Sequence, residues 1–120
     1  MAKDDYEVIV YRILVYYYGC LKRKILFDEV TFQASVRKNV ESETYFNDIL
    51  NMMQVEGLIE GLSFTKAWGG DLILLSDMSD TKITAAGVRY LKENAAMQRA
   101  GNALKESVDI IAKLAGMLMI

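Results

Sequence analysis

Residues 42–60, SETYFNDILNMMQVEGLIE, contain a complete helix that runs into the start of a strand. Ser42 is a favourable N-cap, and Glu43 falls in the first turn, where exposed amide groups favour an anion. Gly57 ends the helix, because a residue without a Cβ enters the left-handed region at little cost. An apolar stripe at three- and four-residue steps faces the core: Phe46, Ile49, Leu50 and Met53. The opposite face is predicted to be solvent-exposed: Thr44, Asn47, Asp48, Asn51 and Gln54.

A first helix is predicted near the N-terminus, beginning after Asp4 or Asp5 and ending near Gly19. Residues 8–18 are almost all apolar, and many are β-branched or aromatic, so this run would also suit a buried strand. Its length exceeds that of a typical strand, which favours the helix.

The segment after this helix contains the only basic cluster of the chain, at residues 22–24. A solvated loop is favoured for it over a phosphate contact. A short strand is expected at residues 25–27, beside a later hairpin. Asp28 is then the predicted N-cap of a second helix that extends to about Asn39. Two helices, a short turn and the helix after Ser42 form a predicted helix-turn-helix unit.

The periodicity changes after the third helix. Residues 58–65 predict one strand and residues 71–76 its antiparallel partner. The connection, KAWGG at residues 66–70, contains a glycine pair, which is typical of a hairpin.

Residues 77–81 are polar and turn-like, and either lengthen the hairpin or return the chain to the sheet at residues 82–83. Thr84 caps a further helix over residues 85–94. The order of elements predicts an α+β fold, a winged helix-turn-helix domain over residues 1–95 followed by a long C-terminal helix.

Residues 96–120 predict that C-terminal helix, with apolar residues repeating in the steps of four and three that mark a coiled-coil seam. A surface this apolar is expected to be buried, either against the first helix of its own domain or against the same helix of a second copy. The second arrangement is the prediction, a homodimer through Leu104, Val108, Ile111, Leu114, Ala115 and Leu118.

Composition narrows the classes of function. One cysteine and no histidine allow neither an intrachain disulfide nor a His/Cys metal site, and they fit a reduced, cytoplasmic setting. The acidic N-terminus does not resemble a signal peptide, and no run is long enough to cross a bilayer, so no membrane partner is expected. A net charge of −2 lacks the basic surplus typical of a nonspecific nucleic-acid binder.

Two stretches, YFNDILNMMQVEGLIEG at residues 45–61 and ITAAGVRYLKEN at residues 83–94, are similar to the YjcQ family of small bacterial and prophage proteins. Lys3-Asp4 resembles the start of the family's first helix. The resemblance covers roughly residues 1–95, and the hydrophobic tail is particular to this chain. It implies a winged helix-turn-helix domain without catalytic residues.

Double-stranded DNA is the first predicted ligand, with the chain acting as a transcriptional regulator. The third helix would enter the major groove and place four polar side chains at base edges: Thr44, Asn47, Asn51 and Gln54. Lys66 and Trp68 would lie at the tip of the wing.

Protein binding is the alternative, because residues 41–60 contain five carboxylates and no Lys or Arg. An acidic helix face, an exposed Trp68 and the apolar C-terminal helix would then dock partners. A buried position for Trp68 at the base of the wing is an equally good interpretation. No enzyme is predicted, since no nucleophile–base pair, metal-site spacing, phosphate-binding loop, cofactor site or small-molecule site can be drawn.

Overall fold

The computed structural model describes residues 5–94 together with residues 111, 113 and 114, and its fold is α+β. The described residues form four α-helices: α1 (Tyr6–Leu21), α2 (Glu29–Ser35), α3 (Glu43–Val55) and α4 (Ala85–Glu93). Between α3 and α4 lie the short strands β1 (Ile59–Glu60), β2 (Phe64–Lys66), β3 (Leu72–Leu74) and β4 (Lys82–Ile83), with a 3₁₀ turn at Met78–Asp80. Within the described ranges, no helix is long and apolar enough to span a bilayer.

Helix α1 is the centre of the core, and every residue from Val8 to Gly19 is buried. The apolar run is therefore a helix, as its length predicted, and it is covered on all sides rather than along one stripe. Arg12 is buried with the apolar residues, and its Nη1–H donates to the carbonyl oxygen of Ser35 at 2.6 Å. That charge-assisted bond ties α2 to the middle of α1.

The predicted strand at residues 25–27 is wrong, because this segment is irregular. Aromatic packing holds it instead of strand pairing: the Phe27 ring stacks on Tyr17 with centroids 6.1 Å apart. The Asp28 backbone N–H donates to the Tyr16 hydroxyl at 3.1 Å, so a side chain satisfies a group that a strand would pair with backbone.

Helix α2 begins after its predicted cap but ends at Ser35 rather than near Asn39, so that boundary is wrong. The Asp28 carboxylate accepts from the Thr31 backbone N–H at 2.8 Å, which is a regular N-cap. At the other end, the Ser35 carbonyl accepts from the Arg12 guanidinium, which holds the last residue of α2 on α1. The chain leaves the helix at this contact.

The single predicted strand over residues 58–65 is also wrong, because the chain turns at Gly61, whose φ is +99°. A Cβ at Gly61 would lie 2.5 Å from the Asp80 carbonyl oxygen, so the two backbones approach too closely for a side chain. The turn divides the ribbon: β1 pairs with β4 antiparallel, and β2 pairs with β3 antiparallel. The return to the sheet at residues 82–83 is confirmed as β4.

Thr84 joins the end of α3 to the start of α4. Its hydroxyl accepts from the Gly87 backbone N–H at 3.1 Å and donates to the Gly57 carbonyl oxygen at 2.5 Å. Gly57 has a φ of +80°, which confirms it as the residue that ends α3 and sends the chain toward β1. The N-cap predicted from sequence therefore also fixes the corner between helix and sheet.

Two described residues of the C-terminal segment, Ile111 and Leu114, belong to this same core, each with 1% of its surface exposed. The methyl carbons of Leu114 lie 3.2 and 3.3 Å from the position that a Cβ on Gly19 would occupy. The C-terminal segment therefore packs on α1 of its own chain at these positions.

Candidate functional site

Helix α3 forms where its sequence predicts. The Ser42 hydroxyl accepts from the Tyr45 backbone N–H at 3.2 Å, and Glu56 is the C-cap before Gly57. Its predicted apolar stripe is buried: Phe46, Ile49, Leu50 and Met53. This anchoring fixes which flank of α3 meets the β2–β3 hairpin and which flank meets solvent.

Two of the four polar residues assigned to base contacts bond instead to backbone groups of the hairpin or of the segment that leads into it. Asn47 is only 7% exposed, and its Nδ2–H donates to the Leu72 carbonyl oxygen in β3 at 3.2 Å. Gln54 donates through Nε2–H to the Leu62 carbonyl oxygen at 2.9 Å and accepts from the Leu62 N–H at 2.8 Å. The predicted exposure of Asn47 is therefore wrong, because the hairpin folds back over that flank of α3.

The surface that α3 presents to solvent is formed by Tyr45, Asp48, Met52 and Val55, which we call the α3 face. Steps of three and four residues place these side chains on one side of the helix, and all four are exposed. Val55 has 77% of its surface exposed. Thr44 is exposed and Asn51 half-buried at its edge, so these two predicted base-contact residues remain accessible.

The β2–β3 hairpin presents its tip to solvent. Ala67 and Asp71 close the turn through a 2.8 Å backbone hydrogen bond, and Trp68 between them is fully exposed. Of the two interpretations of Trp68, the structure therefore supports the exposed position. Lys66 is exposed at the end of β2, as predicted.

The sequence segment that contains α3 carries charge of one sign. Residues 39–65 contain no Lys or Arg, and their five carboxylates are all exposed: Glu41, Glu43, Asp48, Glu56 and Glu60. A phosphate brought to this surface would meet repulsion from these carboxylates, and no Lys or Arg within residues 39–65 would offset it. A cationic or apolar group would meet no such repulsion.

The opposite charge is concentrated at residues 21–26, which we call the basic loop. Lys22, Arg23 and Lys24 are all exposed, together with Leu21 and Leu26. The chain contains no carboxylate between residues 7 and 28. The basic loop is therefore an exposed surface that combines cations with apolar side chains.

A cleft of about 500 Å³ lies between α2, α3 and the segment after β3. Arg37 crosses it with its guanidinium carbon 4.8 Å from the centroid of the Phe46 ring. The lining mixes this cation with three carboxylates, from Glu29, Glu43 and Asp77. In the part of the chain that the structure describes, no three His, Cys, Asp or Glu side chains converge as a metal site would require.

Burial moves the ionisable groups of the core away from neutral pH. It raises the pKa of Tyr11 to about 12, and it raises the pKa of Tyr17, whose hydroxyl donates to the Met78 carbonyl oxygen at 2.7 Å. Burial also raises the pKa of the Cys20 thiol, which lowers its thiolate fraction at neutral pH. These side chains pack as neutral groups.

The residues assigned to dimerisation fall into two sets. Ile111 and Leu114 are buried in the core of their own chain. The others lie outside the described residues: Leu104, Val108, Ala115 and Leu118. Dimerisation through this segment stays a prediction.

Comparison with known proteins identifies one family. A family model described as YjcQ protein matches residues 11–110, which is more than half of the chain. Neither the curated proteins nor the solved structures contain a match.

Proposed function

The chain belongs to the YjcQ family, and we propose that it is a winged helix-turn-helix module that recognises another protein through the α3 face. The winged assignment is supported by the order of elements, in which α1, α2 and α3 precede a two-stranded hairpin and α4. In this assignment α3 is the recognition helix and the β2–β3 hairpin is the wing.

One observation carries the choice of ligand class. The outward side of α3 combines the apolar side chains of Tyr45, Met52 and Val55 with the carboxylate of Asp48, and no cation lies within residues 39–65. DNA affinity depends largely on neutralising phosphates with Lys and Arg. The α3 face carries a carboxylate, whose charge is opposite to that of Lys and Arg.

The chemistry of the α3 face suits a partner that carries apolar side chains flanked by Lys or Arg. Met52 is unbranched and polarisable, so it adapts to different apolar partners. Trp68 at the wing tip adds a large aromatic anchor, the residue type that most often dominates binding energy at protein interfaces. Opposite charges at the rim would raise the association rate and exclude acidic proteins.

DNA binding is the second candidate, favoured by the accessible Thr44 and Asn51 on α3 and by Lys66 in the wing. Its weakness is that the amide of Asn47 already bonds to β3 backbone, and that of Gln54 to the backbone of Leu62 before the wing. Reading an adenine with either side chain would first require breaking those bonds.

The two candidates are separated by testing the full chain against both ligand classes. Selection from a random peptide library should enrich Lys or Arg next to apolar residues, and Asp48→Lys should weaken those peptides about tenfold or more. Asp80→Lys, the same change at an exposed carboxylate of the 3₁₀ turn, is the matched control and should bind normally.

The nucleic-acid arm uses a mobility shift with random-sequence duplex DNA at low salt. No shift is expected. A salt-sensitive shift that Asn51→Ala and Lys66→Ala both weaken would overturn the proposal in favour of DNA. Selected peptides that bind Asp48→Lys as well as the parent would also overturn it.

A further inference from the structure

The basic loop has the chemistry that the α3 face would recognise. It places Lys22 and Lys24 beside the exposed apolar side chains of Leu21 and Leu26, and Leu26 is 85% exposed. Apolar residues flanked by cations are the complement of apolar residues flanked by carboxylates. The two surfaces occur on the same chain.

The conformation of the basic loop is fixed by local contacts. Arg23 adopts a left-handed conformation with φ of +60° and donates through Nη1–H to the Cys20 carbonyl oxygen at 3.0 Å. The Lys22 ammonium lies 5.6 Å from the centroid of the Tyr18 ring. These contacts hold the loop against the C-terminal end of α1, so a partner would meet an ordered surface.

Charge near the loop is not uniformly positive, since Asp28 and Glu29 follow it in the chain. Each of these carboxylates is already engaged within α2. Asp28 accepts from the Thr31 N–H and hydroxyl at 2.8 and 2.6 Å, and Glu29 accepts from the Gln33 side chain at 2.9 Å. Both carboxylates bond to neutral donors of α2, and the exposed Lys22 and Lys24 side chains remain accessible to a partner.

We propose that the basic loop of one copy docks on the α3 face of a second copy, in a head-to-tail contact. The inference rests on the proposed function, because it names the partner of the same α3 face. Asp48 and Glu56 would meet Lys22 and Lys24, and Met52 and Val55 would cover Leu26. The occupant is a second copy because charge and apolar content match on both sides.

A head-to-tail contact uses two different surfaces, so each bound copy keeps one surface free. Such contacts close into a ring if the rotation between copies allows it, and otherwise continue as an open assembly. Exposed charge pairs are screened by salt, so the association is expected to weaken as ionic strength rises. This arrangement is independent of any pairing of the C-terminal segments.

The test uses sedimentation velocity of the full chain and two charge-reversed variants. One variant, Asp48→Lys with Glu56→Lys, reverses the charge of the α3 face. The other, Lys22→Glu with Lys24→Glu, reverses the charge of the basic loop. All four positions are exposed, and a cation at Glu56 also suits the C-terminal end of α3. Circular dichroism checks that both variants keep the fold.

The parent is expected to associate as concentration rises, and each variant alone to stay monomeric, with association weakened about tenfold or more. A mixture of the two variants should associate again, because the intact loop of one variant faces the intact α3 face of the other and the two reversed surfaces also carry opposite charges. A variant with all four reversals should associate again. Asp80→Lys and Lys92→Glu, both at exposed positions, are matched controls and should behave as the parent.

Three outcomes would overturn the inference. A parent that stays monomeric at low salt removes it, and the proposed function then stands if Asp48→Lys still weakens binding of the selected peptides. Association that survives both sets of reversals would place the contact elsewhere. Binding of the parent to anionic phospholipid vesicles without self-association, lost on Lys22→Glu with Lys24→Glu, would assign the basic loop to lipid.

Discussion

Replacing Gln54 by glutamate separates a structural role for this side chain from a role in recognition. In the structure the amide of Gln54 makes two bonds to one residue, donating to the Leu62 carbonyl oxygen at 2.9 Å and accepting from the Leu62 N–H at 2.8 Å. A carboxylate keeps the second bond. In place of the bond to the Leu62 carbonyl, a carboxylate oxygen would repel the carbonyl oxygen. The carbonyl of the buried Leu62 would then lack its donor.

The magnitude follows from these two losses. A buried acceptor left without its donor costs about 1–3 kcal/mol, so Gln54→Glu should lower the free energy of unfolding by about 2 kcal/mol at pH 7. A protonated glutamate donates again, so the folded state favours the protonated form. At 1.36 kcal/mol per unit, the pKa of the introduced group should rise from about 4.3 in the unfolded chain to about 6 in the folded chain.

The sign of the pH dependence is fixed by that direction. Because the folded pKa lies above the unfolded one, the variant recovers stability as pH falls through about 6, and the recovery is complete below about 4.3. Urea unfolding is measured for variant and parent at each pH. Groups common to both contribute equally to the two unfolding free energies, so their titration cancels in the difference. The difference in unfolding free energy should shrink from about 2 kcal/mol at neutral pH to near zero in mild acid.

Asn51→Asp is the matched control, since it makes the same amide-to-carboxylate change one turn earlier, at the edge of the α3 face. Its effect should stay within about 0.5 kcal/mol and show little pH dependence. Equal, pH-independent effects of the two substitutions would refute the reasoning. Gln54 would then be available to a ligand rather than bonded to the Leu62 backbone.

Gly87→Ala should destabilise the chain by about 2 kcal/mol in urea unfolding, because the added Cβ overlaps the Leu58 carbonyl oxygen and outweighs a helix-propensity gain of about 1 kcal/mol. A more stable variant would contradict that close approach. Leu114→Ala should cost about 2–4 kcal/mol by loss of its packing on Gly19, with a melting temperature independent of protein concentration. A concentration-dependent melt would indicate pairing between chains instead. Tyr11→Phe should keep or raise stability by up to about 1 kcal/mol, because the buried Tyr11 hydroxyl has no hydrogen-bond partner among the described residues. The parent should also lose stability as pH rises above about 10, where Tyr11 ionises in the unfolded chain before its folded pKa of about 12, and the phenylalanine variant should lose less.

Much of the local structure could be predicted from residue chemistry. Ser42, Gly57 and Thr84 mark helix boundaries because each acts on backbone groups within four residues along the chain. The apolar stripe of α3 and the glycine-containing hairpin follow in the same way. Such signals depend on the neighbouring sequence and hold in any tertiary setting.

The errors arose where a distant residue decided the outcome. Helix α2 ends where Arg12, 23 residues away in the chain, bonds to the Ser35 carbonyl. The ribbon divides at Gly61 because Asp80 approaches its backbone. No local pattern encodes either contact, so sequence reasoning extended both elements too far.

The sequence by itself determined the order of the helices and the presence of a hairpin, and that the charge of residues 39–65 is entirely negative. Only the tertiary structure decided the use of each polar side chain on α3. Asn47 and Asp48 are adjacent in the chain, yet one is buried against β3 and the other faces solvent. The physical reason is that a helix turns about 100° per residue, so the placement of the hairpin separates structural contacts from the surface left for a partner.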